Sequence, residues 1–282
     1  MNVPRLILPV LIAFLLPSMA ANPIGVFDFD LRGKDPAEQI RSLDGIGFDG
    51  VTVQLNQPKD VLTLDAYLQE KPDLRVFAGL IHINIDSKEP FSPDHIRTCA
   101  KKLSAIDAKI WLILSGSKDK TAEVQAAIDG IARIAGLENC GVSLYPHDHT
   151  AVETAEEMLV YLKKSKQQNL TISLHQCHEL RAGNIDRIDE IMSTVGPHID
   201  MVTLCGSDRK LRDDSPDWSD AIKPLGEGDY DPKDFLRVLK KHQFNGPIIL
   251  HTFGLKERPA SHYQTSHDLL KKMWRELAAE PS

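Results

Sequence analysis

Eight times between residues 24 and 252, a short run rich in Val, Ile and Leu gives way to a longer segment with helical spacing of its apolar residues. This alternation restricts the fold more than any other feature of the chain. Strands buried on both faces read as continuous apolar runs, and a helix after each strand makes successive strands parallel. The runs are IGVFDF (24–29), GVTVQL (50–55), RVFAGLIHI (75–83), KIWLIL (109–114), GVSLYP (141–146), LTISLH (170–175), IDMVTL (199–204) and PIILHT (247–252). Helical segments between them include SPDHIRTCAKKLSAI, ETAEEMLVYLKKS and DPKDFLRVLKKH, and several open on Ser, Thr or Asp, which cap helix N-termini. Eight units without a Pro/Ser/Gly-rich linker predict an α/β fold, a single (β/α)8 barrel over residues 21–282. A doubly wound open sheet is the competing architecture. It gains no dinucleotide site, because GVFDFDLRGKDP after the first strand lacks G-x-G-x-x-G.

Residues 1–20 are set apart from the barrel. MNVPR, the short apolar run LILPVLIAFLL and the small-residue stretch PSMAAN have the pattern of a secretory signal cleaved near Ala21. That run is short for a membrane span, so the expected mature protein is exported, periplasmic or secreted, with no membrane partner. Loss of Arg5 with the leader takes the formal charge from −7 to −8, and no basic run exists that could neutralise a polyphosphate, which argues against nucleic acid. Cys99, Cys140, Cys177 and Cys205 show no C-x-x-C spacing. Buried free thiols are expected, with Cys177 and Cys205 the pair best placed to be oxidised in an exporting compartment.

In such barrels the residues at the carboxyl ends of the strands converge on one mouth. This rule selects Asp28, Gln54, His82, Asn84, Tyr145, His147, His175, His178, Thr203, Cys205 and His251. Five of the eleven histidines are in that set, while His95, His198, His242, His262 and His267 fall in helical segments or their loops and are expected at the surface. Neutral imidazoles bind Zn, Fe, Ni or Cu, and imidazoles titrating near neutrality move protons. No Asp or Glu closes the fifth, sixth or eighth strand, where an oxygen-ligated ion would need one.

The fragments GFDGVTVQL, GVSLYPHDHTAVETAEEMLVYLKK, LTISLHQCHELRAGN and PLGEGDYDPKDFLRVLKKHQFNGPIIL, in this order and spacing, resemble the xylose-isomerase-like, sugar phosphate isomerase/epimerase superfamily of TIM barrels. The likeness spans essentially the whole mature chain. It implies a barrel whose typical members hold a divalent metal on Glu, Asp, His or Asp, and Glu at the ends of the fifth to eighth strands. Tyr145, His175, Thr203 and His251 occupy those places here, so the usual ligand set is absent. The trailing histidines of the family's fifth- and sixth-strand motifs are retained as His147 and His178. The LYPH, CHELRAGN and VTLCGSD pieces resemble a divergent, exported branch.

Two readings follow. Either one divalent metal of another class (Zn, Fe or Mn) sits on some of His147, His175, His178 and His251, or the imidazoles work without a metal as acids and bases. The expected activity is that of a sugar isomerase or epimerase, or of a β-eliminating lyase on an oxidised glycoside, starting from proton removal next to a carbonyl. His175, His251 and Tyr145 are the expected catalytic groups, and Gln54, His82, His147, His178 and Asp28 the expected substrate-binding ones. A small neutral carbohydrate is preferred over a sugar phosphate, since export and acidic charge disfavour one. Lys223, Lys256 and Arg209 leave a local anion site open, and Glu227 reads as part of a turn. A sugar-binding barrel without catalysis is the alternative from another class.

Overall fold

Alternation within each strand decides where every side chain goes, because successive Cβ atoms point to opposite faces. The computed structural model describes residues 22–211 and 217–280, and the leader expected over 1–20 lies outside them. Strands β1 (Ile24–Phe27), β2 (Gly50–Gln54), β3 (Val76–Asn84), β4 (Lys109–Ser115), β5 (Val142–Leu144), β6 (Leu170–His175), β7 (Ile199–Leu204) and β8 (Ile248–Leu250) pair in parallel, each with the next and β8 with β1. The result is the closed (β/α)8 barrel that the sequence predicts.

Helices α1 (Pro36–Arg41), α2 (Pro58–Glu70), α3 (Pro93–Ser104), α4 (Thr121–Leu137), α5 (Ala155–Lys164), α6 (Gln176–Arg181), α7 (Ile188–Val195), α8 (Pro232–Lys241) and α9 (Ser261–Ala279) form the outer jacket. Local chemistry sets their starts. Asp35, Ser92, Thr154 and Asp231 each accept a backbone N–H of the first turn, and Pro follows three of them, where its missing N–H costs nothing. Among the described residues, no helix is long and apolar enough to cross a membrane.

Outward strand residues such as Val26, Val51, Val53, Ile172 and Leu250 join the helices in the larger core, whereas Phe27, Phe77, Trp111, Tyr145, Met201 and Ile249 fill the lumen. Gly25 makes room there: a Cβ would lie 2.5 Å from Ile249 and 2.7 Å from Phe77. At the amino-terminal end of the lumen, Asp200 accepts from Ser143 (2.7 Å), Thr171 (2.7 Å) and Lys109 (2.8 Å). These bonds tie four neighbouring strands together. Asp200→Ala leaves the buried Ser143 hydroxyl, the half-buried Thr171 hydroxyl and the partly exposed Lys109 ammonium without their acceptor, so we expect a loss of about 1–3 kcal/mol. A urea titration checks it, as a lower midpoint at unchanged slope.

Several local expectations are corrected. His262 and His267 are buried, not at the surface. His267 Nε2 donates to Gly47 O (3.0 Å) and the ring packs edge-on to Phe48, because α9, which starts at Ser261, turns this face to the barrel. The helix after β5 begins at Ala155 behind the Thr154 cap, two residues into the expected segment ETAEEMLVYLKKS. All four cysteines are buried and unpaired.

Candidate active site

The uppermost lumen layer contains the four positions where the family resemblance implies metal ligands. Tyr145 follows β5, His175 closes β6, Thr203 lies on β7 and His251 follows β8. Each comes two residues after an inward residue of its strand, so all four face the axis. His178 joins them from the first turn of α6, and His147 comes over the rim from the loop after β5. The imidazoles expected at the mouth do gather there. Tyr145 and His175 stack with ring centroids 3.6 Å apart, His147 and His178 lie 4.1 Å apart, and His178 and His251 6.1 Å apart.

Asp28 and Gln54 do not join this group. Val26 and Asp28 share the outward face of β1 while Phe27 takes the lumen, so Asp28 borders a groove of about 450 Å³ with Gln54, Gln39, Asp60, Tyr67 and Lys256. Its Oδ2 accepts from Gln54 N (3.2 Å) and its buried Oδ1 has no protein partner. Burial raises the carboxyl to about 7. The strand-end rule that selected Asp28 ignores the alternation that turns it outward.

Hydrogen bonding fixes the tautomers of the central rings. Asp148 N donates to His178 Nδ1 (3.4 Å), which leaves His178 Nε2 to carry the hydrogen and donate to Tyr145 Oη (3.2 Å). The Tyr145 hydroxyl then donates to His251 Nε2 (3.3 Å), and the hydrogen on His251 is left on Nδ1, a buried atom without a protein partner. His175 spends both nitrogens, on Ser173 Oγ (2.7 Å) and Thr203 Oγ1 (3.0 Å), and Trp111 donates to the same Ser173 hydroxyl (2.6 Å). His175 is therefore a neutral strut of the barrel core. This corrects its expected catalytic role, since no solvent reaches the ring and neither nitrogen is open.

Burial also holds these groups uncharged. It pushes His251 down to about 3, His175 and His178 well below the usual imidazole range, and the Tyr145 phenol well up. Tyr145 and His178 are 2% and 1% exposed, so an incoming molecule meets other residues first. The half-buried His147 is the ring it would meet. Its Nδ1 lies 2.6 Å from Asp148 O, and a carbonyl only accepts, so Nδ1 holds the hydrogen and Nε2 a lone pair. Burial, with His82 nearby, lowers His147 to about 4 and keeps that lone pair free at neutral pH. His82 itself is at the exposed rim.

Four participants have no sequence signal of their own. Trp218, in the long loop after β7, lies edge-on to His147 (5.5 Å) and His178 (5.1 Å). Arg181 stacks over the Trp218 ring at 4.3 Å and is held by Asp148 at 2.6 Å. Phe29 and Phe253 stand at the opposite side of the mouth beside His251. A charged loop, a helix residue and a turn acid become one wall only when the barrel closes.

Among the described residues, two groups bring ligand atoms within 4.8 Å of one another: Cys177, His178 and His251, and Asp148, His149 and Glu153. The second fits an ion poorly, since Asp148 is paired with Arg181 and Glu153 with Lys118. The first has no carboxylate oxygen and does not suit Mn or Mg; two imidazoles and a thiol are donors of the zinc class, and His251 would have to move its hydrogen from Nδ1 to Nε2 to present a lone pair at its unpartnered nitrogen. His178 and His251 are two of the four histidines among which the ligands were expected, and His147 and His175 fall outside this group. Cys177 is the ligand type that the strand-end survey passed over.

The geometry thus defines a parallel (β/α)8 barrel with an imidazole-rich carboxyl-terminal mouth. The model of the xylose isomerase-like TIM barrel matches residues 40–273, and the chain belongs to that family. None of the curated proteins matches it in sequence. Solved structures of the same fold include 3-keto-D-glucoside 4-epimerase YcjR from E. coli, at 14% identity and a TM-score of 0.71, covering 89% of this chain and 100% of that one. D-allulose 3-epimerase from Methylomonas sp. is 17% identical with a TM-score of 0.68, over 89% of this chain and 98% of that one. The probable 3-DHS dehydratase AsbF from Bacillus anthracis is 15% identical with a TM-score of 0.70, over 88% and 98%.

Proposed function

We propose that this protein is an exported sugar isomerase or epimerase that removes a proton from the carbon next to a carbonyl, with His147 Nε2 as the acceptor. One observation carries the reading: a bare imidazole nitrogen at the barrel mouth, backed by the hydrogen-bonded set of His178, Tyr145 and His251. The base is neutral at working pH, as carbon-acid chemistry requires. Trp218 and Phe29 offer ring faces to a sugar, and His82 stands at the rim to bond its hydroxyls. A divalent ion held on Cys177, His178 and His251 would polarise the carbonyl. The names of two structural neighbours point to the same chemistry, because a 3-keto sugar epimerised at position 4 and a ketose epimerised at position 3 both react beside a carbonyl. A neutral keto-sugar or oxidised glycoside is the favoured substrate class.

Incubation in D2O with a panel of ketoses and 3-keto-glucosides tests this by NMR. Deuterium should enter at the carbon beside the carbonyl, with an epimer or isomer as product. An unsaturated product would instead identify a β-eliminating lyase. Folded protein that exchanges no substrate hydrogen in the panel, yet binds one of these sugars, would mark a binding barrel and overturn the proposal.

A further inference from the structure

We propose that one buried water joins His251 to His262, and that His262, acting through this water, is a positioning residue for the hydrogen-bonded chain of the barrel mouth. The two residues come from separate segments, the end of β8 and the first turn of α9, and both line a cavity of about 10 Å³. Each carries a buried nitrogen without a hydrogen-bond partner in the protein, Nδ1 of His251 and Nε2 of His262. Enclosed polar atoms of this kind call for a partner, and about 10–15 Å³ is the room that one water needs. The other polar groups on the walls are occupied. Lys223 Nζ turns to Asp208, Tyr263 Oη donates to Asp30 O (3.1 Å) and Thr252 Oγ1 donates to Phe29 O (3.2 Å). Ser266 Oγ accepts from Leu225 N (3.1 Å) and keeps its own hydrogen to give.

The direction of each bond follows from the tautomers. Tyr145 donates to His251 Nε2, so His251 Nδ1 bears the ring hydrogen and donates it to the water. Ser266 gives the water its second hydrogen bond. With both lone pairs of the water used, His262 Nε2 must accept. Burial, with the Arg32 and Arg258 guanidiniums nearby, lowers His262 to about 4, so the ring is neutral and has a nitrogen lone pair to offer. The remaining hydrogen of the water finds the Thr252 hydroxyl oxygen on the same wall. A single chain results, from His178 through Tyr145 and His251 to the water and His262, with every hydrogen directed away from the mouth. A bridging water makes such a link nearly as well as a direct bond. Removing the acceptor at the far end lets the His251 hydrogen shift to Nε2, which reverses its bond with Tyr145 and frees the direction of that hydroxyl.

A high-resolution crystal structure of the full chain should show one ordered water within hydrogen-bonding distance of both nitrogens. Nitrogen-15 spectra of protein labelled at histidine, with the His251 signals assigned by their loss in His251→Gln, should show the Nδ1–H tautomer. His262→Phe keeps the bulk of the ring without the acceptor and should leave His251 a mixture of both tautomers. His262→Gln, whose amide oxygen reaches the same place, should restore Nδ1–H. In the D2O exchange assay, His262→Phe should lower kcat about tenfold with KM little changed, and His262→Gln should recover most of that loss. Only this kinetic measurement rests on the proposed reaction. Unmutated protein that exchanges no substrate hydrogen defeats the reaction, while the water and the tautomer are still judged by diffraction and spectra. A dry cavity, a water bonded to only one of the two nitrogens, or a His251 tautomer indifferent to His262→Phe overturns the inference. The first two are read on the unmutated protein and so decide the matter where His262→Phe does not fold.

Discussion

Chelator-treated protein is expected to unfold in mild acid, with stability falling steeply below about pH 6.5 and most of it gone by roughly pH 4–5. His147 and His251 lie at about 4 and 3 in the folded state, and His175 and His178 well below the usual imidazole range, all because burial disfavours the charged ring. The sign follows from proton counting. A folded-state value below the unfolded one means that the native protein binds fewer protons, so stability is full above the unfolded value and is lost as pH falls towards the folded one. Each ring kept neutral contributes about 1.4 kcal/mol per pH unit across that window. Asp28 works in the opposite sense, since its raised value makes the native state bind a proton more tightly between about 7 and the ordinary carboxylate range, offsetting roughly one ring. The remainder reaches the whole stability of a typical domain, about 5–15 kcal/mol, within two to three pH units. Urea midpoints at half-unit pH steps measure it. A flat profile from pH 7 to 4.5 would show that the rings protonate without cost in the native state, and hence that they are wet.

His147→Gln is expected to lower the rate of substrate hydrogen exchange by about 10²–10⁴, the usual worth of a positioned base. The amide keeps the size of the half-buried ring and one donor, so the thermal midpoint should move by only a few degrees. With His147 as acceptor, kcat/KM should stay level on the acid side until the fold itself gives way, because its lone pair is free down to about pH 4. Tyr145→Phe makes a different mark. It preserves the ring stacked on His175 but leaves His178 Nε2–H and His251 Nε2 without their shared hydroxyl, a stability cost of about 1–3 kcal/mol. Exchange unaffected by His147→Gln would move the base elsewhere in the mouth.

The architecture was legible in the chain because its signal is local. Apolar runs such as KIWLIL, followed by capped amphipathic segments, carry strand and helix in a few consecutive residues, and a repeated strand-helix unit leaves little choice of topology. The convergence of Tyr145, His147, His175, His178 and His251 was legible for the same reason, since strand-end position follows from strand assignment. What each does there was not. Whether His175 is a base or a strut depends on Ser173 and Thr203 meeting its nitrogens across β6 and β7. Whether Asp28 faces substrate depends on one step of alternation at the end of β1. Trp218, Arg181 and Cys177 joined the mouth through contacts between segments far apart in sequence. Side-chain periodicity is a property of neighbouring residues and can be read in order. Hydrogen-bond partners, burial and the charge states they impose arise between strands and loops, so closure of the barrel decided which imidazoles remain open for chemistry.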